Sequence, residues 1–362
     1  MTVASLRSIA VRYGAERRDN DWYRVHAPEA VARSQERGLA KAFATTDGND
    51  ASRAFDERMR PFLTDPFRGA RVRYRLGPGE TVLDLELAAA REALEAAGCT
   101  GADVDLLLCA SWLPEDFMAP GDAVFLARDL GMTGPAYNIE SACSSGLVCM
   151  EVAEGLLASG RYRRILVVLS NTNSRQTGPQ NTLGWISTDV AAAAVLERAT
   201  DDIGILSTAV ENTADSAGVF VHRMEPTDDE VRVQMRVGEV SSAALRASGN
   251  PDRIRRLCLA ALDRAHLRTD EVDYFGFSTP LAWFWSLCTD AVAIDRARST
   301  DLFPRIANAG LPFPLIHLHH AMAEGRLRPG GSALLYTQGS TSSAGALVLR
   351  VGDVALGRHP NP

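Results

Sequence analysis

No stretch of this chain approaches the roughly 20 consecutive apolar residues of a membrane span, so it is not expected to cross a membrane. There is no basic block either. Net charge is −7, which argues against nucleic acid as the main partner. The six cysteines, at 99, 109, 143, 149, 258 and 288, include no CxxC pair and no Cys/His zinc spacing. That excludes a recognisable metal motif and a disulfide framework, and fits a reducing cytoplasm. Met1–Arg18 lacks a long apolar core and a cleavage-like site, so no secretory signal is expected there.

What the chain does have is bulk. At 362 residues, 46% hydrophobic and 23% charged, it can build two core-bearing units. Ile9 and Val11 mark a first strand, and Arg71–Leu76 a short one. Residues 14–66 are rich in Arg, Asp and Glu, with scattered aromatics; they read as helices and loops, either a cover over a pocket or a solvated insertion. Thr81–Ala97 is an amphipathic helix with Leu83, Leu87, Ala90 and Leu94 on one stripe, stopped by Gly98. Val104–Ala110 and Ile165–Ser170 read as buried strands, Asn171–Asn181 as a loop too polar for core, and Ala191–Glu197 as a further strand. Residues 198–203 are the expected joint, giving units of 1–200 and 201–362.

The stretch that organises the first unit is Asn138-Ile139-Glu140-Ser141-Ala142-Cys143-Ser144-Ser145-Gly146. Small residues allow a sharp turn, and the apolar pattern that follows predicts a helix starting at the cysteine. A thiol there sees the positive end of the helix dipole, which favours thiolate. The first backbone N–H groups are available to an oxyanion. A buried cysteine at a tight turn is the alternative reading.

The second unit repeats the first. EALEAAGCTGADVDLLLCAS at Glu92–Ser111 matches AALDRAHLRTDEVDYFGFST at Ala260–Thr279: a shift of 168 carries Ala93 onto Ala261, Val104 onto Val272 and Asp105 onto Asp273. Later the Gly160-Arg161 and Gly325-Arg326 pairs give a shift of 165, which carries Cys143 onto Asn308. Two similar α/β units related by a pseudo-twofold, their central helices facing, are expected.

Duplicated halves with a cysteine at the first half's helix N-terminus resemble the thiolase superfamily, and within it the β-ketoacyl-acyl-carrier-protein synthase III family and its acyltransferase relatives. Thr81–Ser111, Tyr137–Glu197 and Glu271–Val351 carry the resemblance. Thr188-Asp189-Val190-Ala191-Ala192 stands where the family has a Gly-Asp-Gly-Ala-Gly turn; residues 14–66 are unmatched. The resemblance implies a five-layer αβαβα arrangement, a homodimer joined through the first-half sheets, and an acyl-Cys143 intermediate. It makes Asn308 the family Asn, against a capping or turn Asn. It makes an amide near Ser340, in Gly339-Ser340-Thr341, the second oxyanion donor.

One family residue is absent. Ser278 stands where the family carries the His of Pro-His-Gln-Ala-Asn, and serine cannot take a proton near neutral pH. Acyl transfer is therefore expected over decarboxylative condensation. His222, read as a loop residue, and Glu115, beside Asp116, are the candidate replacement bases. His317, His319 and His320 fall in a helix past Asn308, and His26 and His266 read as surface residues. Arg175 is the candidate for coenzyme A at the tunnel mouth, and Arg161, Arg163 and Arg164 form a basic cluster suited to an acidic carrier helix or a solvated helix end. The expected function is transfer of an acyl group from an acyl carrier protein's phosphopantetheine or acyl-coenzyme A to a carrier, hydroxyl or amine, in polyketide-type secondary metabolism. No tightly bound cofactor and no metal are expected. The alternatives are a decarboxylative ketosynthase and a non-catalytic partner subunit of a heterodimeric synthase.

Overall fold

The computed structural model describes residues 3–42, 50–115, 120–199, 202–214, 217, 220–226, 231–237, 250–339 and 343–358. In chain order, β1 (Val3–Tyr13) leads into β2 (Glu16–Asp19), α1 (Asn20–His26), α2 (Pro28–Ala42), α3 (Asp50–Leu63) and β3 (Val72–Arg75). Then come α4 (Val82–Ala97), β4 (Leu106–Trp112), α5 (Asp122–Asp129), β5 (Ala136–Asn138), α6 (Ser145–Ala158), β6 (Arg164–Asn171), α7 (Thr182–Trp185) and β7 (Val190–Ala199). The second series is β8 (Gly204–Asn212), β9 (Phe220–Pro226), β10 (Val231–Val237), α8 (Pro251–Arg264), β11 (Tyr274–Phe277), α9 (Phe284–Val292), α10 (Phe303–Ile306), α11 (Phe313–Ala323), β12 (Ser332–Gln338), β13 (Ser343–Arg350) and β14 (Ala355–Leu356).

Two sheets result, in the orders β14-β1-β7-β6-β4-β5 and β11-β12-β13-β8. The run β4-β6-β7-β1 has the same topology as β11-β12-β13-β8: one parallel pair, then two antiparallel ones. The duplication extends to side chains. Asp105 takes the amides of Arg163 and Arg164 at the start of β6, and Asp273 takes the amide of Ser332 at the start of β12. Ser8 donates to the Ala93 carbonyl and Ser207 to that of Ala261, both at 2.6 Å.

Strand alternation explains the layers. On β7, Val190, Ala192, Ala194 and Leu196 face the core between the sheets, while Ala191, Ala193 and Val195 face α4 outside. On β12, Ala333 and Leu335 face inward, and Leu334 and Tyr336 face α8 and α9. With α6 and α11 packed between the two sheets, the order is helix, sheet, helix, sheet, helix. No helix among the described residues is long and apolar enough to cross a membrane.

The α4 boundaries match expectation: Thr81 and Asp84 form a capping box, and Gly98, at φ 66°, closes the helix. Its buried stripe matches in part. Ala90 and Leu94 face inward as expected, together with Val82, Leu85, Glu86, Ala89 and Ala93, whereas Leu83 and Leu87 pack at the edge. Alanines let the helix sit close to the sheet, with Leu85 and Leu94 beside them on the contact face. The expected polar loop is also partly core: Asn171, which ends β6, and Thr172 after it are buried, their side chains spent on the Thr188 and Trp112 carbonyls.

Residues 14–66 hold to the body through an aromatic satellite of Tyr23, Phe67 and Trp185. Fully buried Arg73 lies over the Tyr23 and Phe67 rings and donates to the Trp185 carbonyl and Asn20 Oδ1, both at 2.7 Å. Burial lowers its pKa to about 10, so it stays cationic at neutral pH.

At the start of β7, buried Asp189 accepts from the Leu76 amide at 2.9 Å and the Ser174 amide at 3.0 Å, and lies 3.6 Å from the buried Arg75 guanidinium. Removing one partner of a buried pair costs about 3–5 kcal/mol. Arg75→Met is therefore expected to lower unfolding free energy by about that amount, read from the denaturant midpoint; an unchanged midpoint would show the pair to be dispensable.

Candidate active site

Cys143 does not begin the helix. It is the middle residue of a single 3-10 turn, Ala142–Ser144, and α6 starts two residues later at Ser145. The turn is sharp enough to push Ala142 to φ 48°, a region alanine rarely adopts. Hydroxyls hold it there. Ser145 Oγ accepts from the Ser141 amide and donates to the Ala142 carbonyl, both at 2.7 Å, and Glu140 takes the Ala142 amide. Cys143 is half-buried, one turn ahead of the fourteen-residue helix whose N-terminus follows it.

The residue that a shift of 165 pairs with Cys143 also follows an alanine at positive φ, but it lies on an isolated bridge to Ser187 rather than in a 3-10 turn. Asn308 follows Ala307, which is at φ 56°, as Cys143 follows Ala142. Gly146 and Leu311 sit three residues further on in each segment, and they touch: a Cβ on Gly146 would fall 2.0 Å from the Leu311 carbonyl oxygen. Only glycine fits there. The contact brings the two strained turns together across the middle layer.

Asn308 is fixed by its backbone, its N–H donating to the Ile186 carbonyl and its carbonyl accepting from the Thr188 amide, both at 3.0 Å. Its Oδ1 accepts from the Gly310 amide. Thr279 Oγ1 accepts from the Ala309 amide at 3.1 Å, so the segment carrying Ser278 is tied to the Asn308 turn. Ser278 is 5% exposed, its N–H donates to the Tyr336 carbonyl, and its Oγ has no partner among the described residues.

Ser340 lies outside the described residues, but both ends of its hairpin sit at the cysteine turn. The Gly339 amide donates to the Ser343 carbonyl, Ser343 Oγ lies 2.9 Å from Ser141 Oγ and 2.6 Å from Ser144 Oγ, and Thr337 Oγ1 is 3.5 Å from the Cys143 carbonyl oxygen.

The other expected residues are spread out. His222 is not on a loop: it is in β9, its backbone paired with Met235 of β10 in a ribbon outside both sheets. Glu115 Oε2 accepts from the Val82 amide at the start of α4. Arg175 is committed to protein: it donates to the carbonyls of Leu113, Pro114 and Glu115 and lies 3.7 Å from the Glu115 carboxylate. It clamps the loop after β4, which leaves it little capacity for a ligand. Asp116 lies outside the described residues. His317, His319 and His320 are buried in α11; His317 Nδ1 is 2.9 Å from the Tyr274 hydroxyl, and burial pushes its pKa down to about 3. His26 and His266 are exposed. Of the basic cluster, Arg164 pairs with Glu197 and Arg163 lies 3.9 Å from Asp105.

Nothing local in the sequence announces a buried acid on α4. Glu86 of α4 is fully buried, with Oε1 accepting from Ser170 Oγ at 2.5 Å and Ser170 2.7 Å from Ser111. Glu86 Oε2 and Asp122 Oδ2 have no hydrogen-bond partner among the described residues. Burial, then the Asp122 carboxyl, pushes Glu86 well above the usual carboxylate range; burial also raises Asp122.

The profile of the 3-oxoacyl-(acyl-carrier-protein) synthase III family matches residues 137–214, which span the cysteine turn, β6 and β7. The β-ketoacyl-(acyl-carrier-protein) synthase III of Brucella suis (strain ATCC 23445 / NCTC 10510) is 28% identical over 291 residues, 78% of this chain and 88% of that protein. The fold is similar to that of 3-oxoacyl-(acyl carrier protein) synthase III from Pseudomonas aeruginosa PAO1, with TM-score 0.75, 19% identity, and 97% and 99% of the two chains covered. It is similar again to the priming β-ketosynthase from the R1128 polyketide biosynthetic pathway, with TM-score 0.76, 17% identity, and 97% and 96% covered.

Two outcomes are expected. Gly146→Ala, forced against the Leu311 carbonyl, lowers stability by about 1–3 kcal/mol and slows any reaction of Cys143 with a thioester; wild-type thiol reactivity would show that the two turns move independently. Glu86 binds its proton more tightly in the folded state than at its ordinary 4.5. Stability is therefore lost as pH rises from about 4.5 towards the raised folded value. Glu86→Gln cannot ionise, so its melting temperature gains on wild type as pH rises above about 4.5; parallel profiles would refute the shift.

Proposed function

We propose that this thiolase-superfamily protein, similar to β-ketoacyl-(acyl-carrier-protein) synthase III, is an acyltransferase working through a thioester on Cys143. Its relatives are enzymes of the acyl-transferring condensing kind. The observation that carries the reading is the paired arrangement of Cys143 and Asn308, each after an alanine at positive φ, joined through Gly146 and Leu311.

In the proposed reaction the Cys143 Sγ thiolate attacks the carbonyl carbon of a thioester donor. The tetrahedral oxyanion is held by the Cys143 amide and an amide of the Ser340 turn. Collapse breaks the carbon–sulfur bond to the donor, which leaves as a thiol and takes a proton. An acceptor hydroxyl, amine or thiol then attacks the acyl-cysteine, giving its proton to a base and returning the cysteine. His222 and Glu115 are the proposed bases.

The absence of imidazole at Ser278 supports transfer over decarboxylation, because the Ser278 hydroxyl can hydrogen-bond but cannot exchange a proton near neutral pH. Asn308 favours the second reading, a decarboxylative ketosynthase in which its amide steadies an enolate. The donor in the proposal is an acyl carrier protein or acyl-coenzyme A, as the carrier-protein relatives suggest, and the setting is cytoplasmic polyketide-type metabolism, as the priming ketosynthase neighbour suggests. A homodimer joined at β5 is part of the proposal: β5 ends its sheet, with Tyr137 48% exposed on it and Val124 46% exposed on α5.

Intact mass after incubation with acyl thioesters tests the reading. One acyl group is expected to add to the wild type and none to Cys143→Ala, with no carbon dioxide released from malonyl donors. Carbon dioxide and a β-ketoacyl product would replace transfer with condensation. No mass gain from any donor would leave the partner-subunit reading.

A further inference from the structure

Three serine hydroxyls meet beside the cysteine. Ser141 and Ser144 bracket Cys143 in the first half, and Ser343 opens β13 in the second. Their oxygens form a triangle: 3.1 Å from Ser141 to Ser144, 2.9 Å from Ser141 to Ser343, and 2.6 Å from Ser144 to Ser343. Ser144 is 1% exposed and Ser343 8%. Hydroxyls buried that deeply are costly unless paired, and pairing them in a network makes each geometry depend on the others.

The protons balance around the triangle. Ser144 Oγ donates to the Ser141 carbonyl at 2.5 Å. Its oxygen then accepts from the Ser343 hydroxyl, and Ser343 Oγ accepts from the Ser141 hydroxyl. Each O–H is used once, and Ser343 is partner to both serines of the cysteine turn.

The backbone explains what such a contact does. Ala142 sits at φ 48°, a conformation that persists only where surrounding contacts impose it. Within the first half, the Ser144 amide donates to the Ser141 carbonyl at 3.1 Å, and the Ser141 amide donates to Ser145 Oγ. Those bonds fix the shape of the turn but not its place against the second half. Ser343 is itself held rigidly: its carbonyl accepts from the Gly339 amide at 2.7 Å, and its backbone pairs with Asn212 of β8.

We propose that Ser343 is a positioning residue for the reaction of Cys143. Its hydroxyl clasps the cysteine turn to the start of β13 and so sets where the Cys143 amide stands relative to the second half. The inference rests on the proposed acyl transfer, in which one oxyanion donor comes from each half. Those donors must stand about 2.7–3.1 Å from the oxyanion, so an error in seating the halves is felt there first. A displaced donor slows the chemical step without weakening the binding of the thioester. Ser343 acts through Ser141 and Ser144, and the triangle contains no group that titrates near neutral pH.

The test compares two reactions of the same thiol. Single-turnover acylation by an acyl thioester passes through an oxyanion; alkylation of Cys143 by iodoacetamide does not. Ser343→Ala is expected to slow acylation at saturating donor by about 10- to 100-fold. The half-saturating donor concentration, the shape of the pH profile and the alkylation rate are expected to stay at wild-type values. Ser343→Thr, which keeps the hydroxyl and suits a strand, is expected to restore acylation. Equal acylation by wild type and Ser343→Ala overturns the clasp and leaves acyl transfer standing. So does a matching loss of alkylation, which would mean that the turn itself had collapsed, or a Thr variant as slow as the Ala one. A wild type that alkylates at Cys143 but takes no acyl group from any thioester overturns acyl transfer, and the clasp with it.

Discussion

Asp189 is the point from which the site hangs. Its carboxylate joins the Leu76 amide at the end of β3 to the Ser174 amide in the loop after β6, while its own carbonyl takes the Gly14 amide and its N–H goes to the Tyr74 carbonyl. One side chain, with the Arg75 guanidinium beside it, thus locks the start of β7, the β2–β3 ribbon and the loop that Arg175 also belongs to. Burial raises the carboxyl and the Arg75 charge opposes that rise. The next residue back, Thr188, donates its amide to the Asn308 carbonyl. The second half's contribution to the site is therefore positioned by a carboxylate of the first half.

From that anchor the chemistry follows by symmetry. The topology repeats, the strand-start aspartates repeat, and the serine contacts to the outer helices repeat. Where the halves meet, the side chains differ: a thiol in the first half, an amide in the second. An alanine at positive φ precedes each, while the backbone that follows differs: a 3-10 turn into α6 after Ala142, a bridge to Ser187 after Ala307.

Much of this was legible in the sequence because it rests on pattern. Period-2 and helical spacing mark the strands and α4, Gly98 marks a stop, and the Val-Asp repeat carries the duplication. What escaped was set by contacts between distant residues. The tightly packed alanines of α4 turn Leu83 and Leu87 to the edge of the contact face, and Glu86 lies on that face although a carboxylate normally signals solvent. His222 reads as a loop residue, since nothing local in Val221-His222-Arg223 announces a ribbon. Arg175 reads as a free cation until the three carbonyls around it are seen. The serines of the cysteine turn are visible as turn formers, but their partner Ser343 lies some two hundred residues away, beyond any local signal.

The alanines at positive φ carry a historical implication. An alanine at positive φ precedes a residue at the meeting of the halves twice, so the architecture offers two seats for a reactive side chain. A lineage built on this scaffold can move, duplicate or silence its reactive group without rebuilding its core, and catalytic and inert descendants of one ancestor can share nearly all of their packing.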